Sequence, residues 1–182
     1  MAAKNYDEMI RNYTGGDLDL SGCSMKRLEL DHVDGNLNLT KATIDKLAIG
    51  WVSGELNMTN ATIKTIENPI DAKSVNMTGT DVKKLPAHIW TDSLTVEKSS
   101  IVKFNTDVRA NTLNIRNTKI EQLPKDLRVN TLIVDTKTAK TLPLTTLRQC
   151  AEIVMDDVTY GERRVGADFE FCSVSTTEYA SV

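Results

Sequence analysis

An apolar–x–apolar pair recurs every nineteen residues along this chain, at Leu18/Leu20, Leu37/Leu39, Leu56/Met58, Val75/Met77, Leu94/Val96, Leu113/Ile115 and Leu132/Val134. The same step places an eighth, weaker copy at Ala151/Ile153. A second apolar pair keeps the period: Met25/Leu28, Ile44/Leu47, Ile63/Ile66, Val82/Leu85, Ile101/Phe104, Ile120/Leu123 and Ala139/Leu142. No insertion or deletion interrupts the series from residue 18 to residue 142. A fixed period held over that distance is the signature of a solenoid, in which each unit buries its apolar face only against its neighbours.

Within one unit, Leu37 and Leu39 flank Asn38, so strand alternation turns both leucines inward and the asparagine outward. One such strand buries almost nothing alone. Stacked on its neighbours at about 4.8 Å, it builds a parallel sheet with an apolar column behind it. Two further inward positions complete the expected coil. The first is small: Cys23, Ala42, Ala61, Thr80, Ser99 and Thr118, and the next step of the series falls on Lys137. The second closes the turn with Trp51, Ile70, Ile89, Val108 and Leu127, and His32 falls on the same position. The expected fold is mainly β: a single right-handed solenoid of about eight nineteen-residue coils, with a parallel sheet and little or no convex helix. Such a core needs neither metal nor disulfide.

The ends depart from the repeat, as a solenoid requires, because terminal coils would otherwise expose core and open strand edges. Tyr6, Met9, Ile10 and Tyr13 have helical spacing before Gly15-Gly16 and predict a short capping helix. Residues 168–175 alternate, with Phe169 and Phe171 on one side, like a closing strand, and Gly161 and Gly166 bracket Arg163-Arg164 as a turn. One domain is expected, with residues 1–16 as N-terminal cap, 17–158 as repeats and 159–182 as C-terminal cap and tail.

The formal charge of −3 over 182 residues gives no strong field toward nucleic acid or an acidic membrane. It is uneven: residues 97–148 carry ten Lys/Arg against five Asp/Glu, and residues 149–182 carry two against seven. Three cysteines without metal-ligand spacing suit a reducing compartment, with Cys23 acting as a small hydrophobe. With no signal-peptide pattern and no long apolar run, the expected location is cytoplasmic, or the host cytoplasm for a phage-encoded chain.

The stretch from Leu113 to Pro124 reads Leu-Asn-Ile-Arg-Asn-Thr-Lys-Ile-Glu-Gln-Leu-Pro. It resembles the short leucine-rich repeats of bacterial and bacteriophage proteins, and the same frame fits Val75 to Pro86. That resemblance implies a solenoid used for binding macromolecules and implies no chemistry. The sequence departs from it where an asparagine ladder is common, since Cys23, Ala42 and Ala61 stand there. The short unit also leaves a flat parallel β-helix open beside a horseshoe.

No catalytic constellation emerges. His32 and His88 lie three coils apart, too far to share an ion, and there is no phosphate loop, nucleophile elbow or Cys-x-x-Cys. No catalytic residue, cofactor or metal site is therefore assigned. The outward strand position reads Asp19, Asn38, Asn57, Asn76, Thr95, Asn114, Ile133 and Glu152, flanked by Ser21, Thr40, Thr59, Thr78, Glu97, Arg116 and Asp135. A uniform Asn/Thr ladder thus gives way to a varied patch, and Glu97, Asn114, Arg116, Ile133 and Asp135 are the expected contacts for a protein partner. The expected function is a non-catalytic protein-binding module, such as a phage or bacterial inhibitor or adaptor docking on a host defence component. A nucleic-acid binder or mimic and a structural virion or adhesin part are the alternatives. Pairing of the rod with itself stays open.

Overall fold

A computed structural model describes residues 5–173 except 105, 125–126, 148, 157 and 166–167, with backbone alone at residue 144 and beyond residue 158. Helix α1 (Tyr6–Arg11) leads into β1 (Leu18–Asp19), β2 (Ser24–Val33), β3 (Leu37–Asn38), β4 (Thr43–Asn57), β5 (Thr62–Ile66), β6 (Ile70–Asn76) and β7 (Asp81–Lys84). Then follow β8 (His88–Thr95), β9 (Asp107–Asn114), β10 (Arg128–Val134), helices α2 (Thr136–Ala139) and α3 (Leu144–Leu147), and β11 (Glu152–Met155), β12 (Val158–Val165) and β13 (Asp168–Ser173).

The repeat becomes a parallel β-solenoid of about seven turns. Leu18 pairs with Leu37, Leu37 with Leu56, Leu56 with Val75, Val75 with Leu94, Leu94 with Leu113 and Leu113 with Leu132. All seven are buried in one core, so the leucine column expected from the period is borne out. The second apolar pair forms its own stack, with Met25, Ile44, Ile63 and Val82 in register through β2, β4, β5 and β7. Beyond β7 this stack is reduced, among the described residues, to an isolated bridge between Lys103 and Gln122.

Several coils turn by the same device. Asn38, Asn57, Asn76 and Asn114 accept through Oδ1 from the backbone N–H two residues later, on Thr40, Thr59, Thr78 and Arg116, at 3.0–3.1 Å. Two residues past that acceptor's partner the chain tightens, with Ala42 N donating to Leu39 O at 3.0 Å and Ala61 N to Met58 O at 3.0 Å. The residue between takes a left-handed conformation: Gly22, Lys41, Asn60, Gly79, Lys98 and Asn117, again at nineteen-residue steps. Its N–H reaches the next coil, as when Lys41 N donates to Thr59 O at 2.9 Å. Glycine and asparagine suit positive φ, whereas lysine carries a steric cost there. The Asn/Thr ladder is therefore chiefly turn machinery; Asn38 Nδ2 to Asp19 Oδ1, at 3.1 Å, is a link along the stack.

Several expectations need correction. Trp51 is 45% exposed, and Val52 is the buried residue. The cause is a register shift: Val52 pairs with Ala72, a twenty-residue step, while Glu55 pairs with Ser74. The corner between Ile66 and Ala72 holds one residue more than that between Leu47 and Val52, and the following stretch holds one fewer. The count of nineteen survives while the phase within the coil slips. His32, paired with Trp51, is likewise outward. Lys137 is exposed; Thr138 is buried and fills the small inward position.

The last coil also leaves the period. α2 and α3 intervene, Leu132 pairs with Ile153, and Ala151 is exposed, so the column is continued by a twenty-one-residue step. Arg163 and Arg164 lie inside β12, opposite Glu170 and Phe169 of β13, rather than in a turn. The β11–β12–β13 pairings are antiparallel and close that end, as the alternation of residues 168–173 implied; residues 174–175 lie outside the described residues. At the other end Tyr6, Met9, Ile10 and Tyr13 pack on the core, and the Tyr6 hydroxyl donates to Ser21 O at 2.8 Å. Cys23 is buried as expected, and so is Cys150, whose thiol burial pushes up to about 11.

Candidate functional site

The patch expected to meet a partner is assembled, but much of it serves the coil. Asp135 N-caps α2: Oδ1 accepts from Thr138 N at 2.9 Å and Oδ2 from the Thr138 hydroxyl at 2.8 Å. The same Oδ2 accepts from Asn117 N at 2.6 Å. In earlier coils that left-handed N–H meets a backbone carbonyl of the next coil; here α2 diverts the backbone and the carboxylate replaces it. Burial of the carboxyl, the largest influence, raises its pKa, but the hydrogen bonds from Asn117 and Thr138 outweigh it and hold the group below the usual aspartate range. Asp135, expected as a partner contact, thus has a structural task of its own.

Glu97 lies 3.3 Å from Lys98 Nζ and accepts from Asn117 Nδ2 at 3.3 Å. Asn114 holds the turn through Arg116 N, and Arg116 O receives Lys98 N at 3.3 Å. Ile133 is half-buried rather than exposed, between Asn114 and Val154 on neighbouring strands. Burial and pairing therefore leave this patch little apolar surface to offer.

A different row does offer it. Reading the register across β2, β4, β6, β8, β9 and β10 gives His32 beside Trp51, then Asp71 beside Trp90, Trp90 beside Arg109, and Arg109 beside Arg128. Trp51 and Asp71 are joined through their neighbours, since Val52 pairs with Ala72. Trp51 and Trp90, the latter 38% exposed, are both tryptophans of the chain and both stand in solvent. A large indole left outside while leucine, isoleucine and valine fill the core is not needed for packing.

Each indole is braced. The His32 ring stacks on Trp51 with centroids 5.5 Å apart and planes 18° from parallel. His88 stacks on Trp90 at 5.6 Å and 24°, and its Nδ1 lies 3.3 Å from Asp107 Oδ2. Gly50, one residue before Trp51, lets β4 approach β2 closely, because a Cβ there would run into the carbonyl oxygen of Asp31. Between the tryptophans lies an open groove of about 500 Å³, lined also by Ser53, Asp71, Lys73, Thr91 and Asp92. Ser53 Oγ donates to Val33 O at 3.2 Å and Thr91 Oγ1 to Lys73 O at 3.1 Å. Among the described residues, no hydrogen bond or ion pair engages the carboxylates of Asp71 and Asp92. No group of His, Cys, Asp and Glu among the described residues could hold a metal ion.

Sequence reasoning missed this row because it ran the nineteen-residue step back from Ile70 to Trp51. Counting by twos from Leu56 through Gly54 instead makes Val52 inward and Trp51 outward, and that signal was available.

Residues 6–79 match the family model described as Toastrack DUF4097. The match covers less than half of the chain, ending within the regular β-solenoid at the left-handed Gly79, and it contains Trp51 and Asp71 but not Trp90. No curated protein and no solved structure matches the chain. No described helix is long and apolar enough to cross a membrane.

Proposed function

We propose that the chain is a non-catalytic protein-binding module that docks through the outward face carrying Trp51 and Trp90. The exposed, braced pair of indoles carries this reading, because tryptophan is enriched at interface hot spots. Pre-stacked rings also lose less side-chain freedom on binding than mobile ones. The inhibitor or adaptor role that the leucine-rich-repeat resemblance implied, in a bacterium or phage, is the finer form of the same proposal. The partner face, however, moves from the Glu97–Asp135 patch to the tryptophan row.

The test is affinity capture from cell lysate with the tagged chain, its Trp51→Ala/Trp90→Ala double variant and Arg116→Ala, read by quantitative mass spectrometry. The proposal expects the proteins enriched by the wild type to be lost with the double variant and kept with Arg116→Ala. An equally folded double variant that enriches the same proteins overturns it.

A further inference from the structure

We propose that the groove between Trp51 and Trp90 takes a cationic side chain of a partner protein, an arginine above all, seated over Asp71. This deepens the protein-binding reading and rests on it. The spacing carries the inference. Trp51 and Trp90 stand on either side of the rung bearing Asp71. Neighbouring rungs are about 4.8 Å apart, so the two side chains leave the sheet roughly 10 Å from each other. A cation above the middle rung therefore lies about 5 Å from both indoles, inside the ~6 Å reach of cation–π attraction.

The middle rung supplies the matching charge. Asp71 is exposed, and among the described residues no hydrogen bond or ion pair engages its carboxylate; Asp92 flanks the groove in the same state. The chain's own nearby cations do not fill the place: Arg109 Nε lies 3.7 Å from Asp107, and Lys73 makes no ion pair among the described residues. An aromatic wall on each side with a carboxylate between suits a guanidinium, which can stack on an indole and donate two parallel hydrogen bonds to a carboxylate. A neutral apolar anchor would leave Asp71 desolvated without a partner.

The probe is the peptide acetyl-Gly-Arg-Gly-amide, titrated into the full chain while the indole Nε1–H resonances are followed. Its neutral counterpart carries citrulline in place of arginine. Saturable shifts of both indole signals are expected with arginine, with at least ten-fold weaker binding of citrulline. Asp71→Asn should weaken the arginine peptide at least five-fold and reduce its salt dependence. Equal binding of the two peptides, or shifts of neither indole, overturns the proposal. So does a neutral oligosaccharide such as cellotetraose that saturates both indoles where the arginine peptide does not. Capture separates the two levels: if Asp71→Asn keeps every partner that the double tryptophan variant loses, the cation site fails and the docking face stands. Loss with neither variant removes the face itself.

Discussion

Asp135 joins two structural tasks in one carboxylate, and its removal should be felt in both. Losing an N-cap costs about 0.5–2 kcal/mol, and leaving Asn117 N unanswered adds about 1 kcal/mol. Asp135→Ala is accordingly expected to destabilise the chain by about 1.5–3 kcal/mol, measured by urea unfolding. Because the folded-state pKa is depressed, this stabilisation is complete above the unfolded aspartate value near 3.9 and is lost as pH falls through the lower folded value. The gap between wild type and variant should close below pH 4; a constant gap would assign the effect to packing instead. Lys98 gives the opposite case. At φ 56° it holds a left-handed turn that glycine fills in the equivalent coil at Gly79. Lys98→Gly should be neutral or stabilising by up to about 1 kcal/mol, since relief of the Cβ clash offsets glycine's freedom in the unfolded chain. Loss of stability there would mean that the Lys98–Glu97 pair contributes more than the turn.

At the scale of the element, the stacked strands show what a period can and cannot reveal. Leu113 sits between Leu94 and Leu132, fully buried, at the position the sequence assigned. Leu113→Asp would place an unpaired charge between two coils and is expected to cost several kcal/mol or to abolish folding. Soluble, cooperatively unfolding protein of near wild-type stability would contradict the column. Strand identity and register were legible because inward leucines repeat without interruption. The orientation of Trp51 was not, because an extra corner residue before Ala72 is cancelled by a missing one after it, and a count of nineteen cannot detect a pair of opposite shifts. The last coil was misread for a related reason. Asp135 starts a helix that the repeat does not encode, so Ile153 enters the column in place of Ala151. Asp135 stood out as a break in the ladder and Asn114 as a member of it, but the purpose of both lay in backbone N–H groups that no side-chain pattern displays.

Across the whole molecule, stability should grade along the axis because each coil contacts only its neighbours. Through the first four coils the sheet with the leucine column is backed by a second parallel stack, β2–β4–β5–β7. Past β7 that second stack is replaced by a lone bridge among the described residues, and the seventh turn is widened by α2 and α3. Backbone groups there have fewer partners on one side of the coil, while the apolar column continues unbroken to Ile153. The family match ends at residue 79, just before the last strand of the two-stack region. Native-state hydrogen exchange should therefore find the most protected amides in β4 and β5, where strands are paired on both sides. Amides of residues 98–104 and 117–123 should open by local fluctuations at much lower free energy. Trp51 and Asp71 lie in the protected half, and Trp90 is held by β8 between β6 and β9. The walls of the groove would then stay fixed while the C-terminal coils fluctuate, and a partner's cation would meet a preformed site. Uniform protection along all coils would show that the rod unfolds as one unit and would remove this separation between a rigid binding half and a looser end.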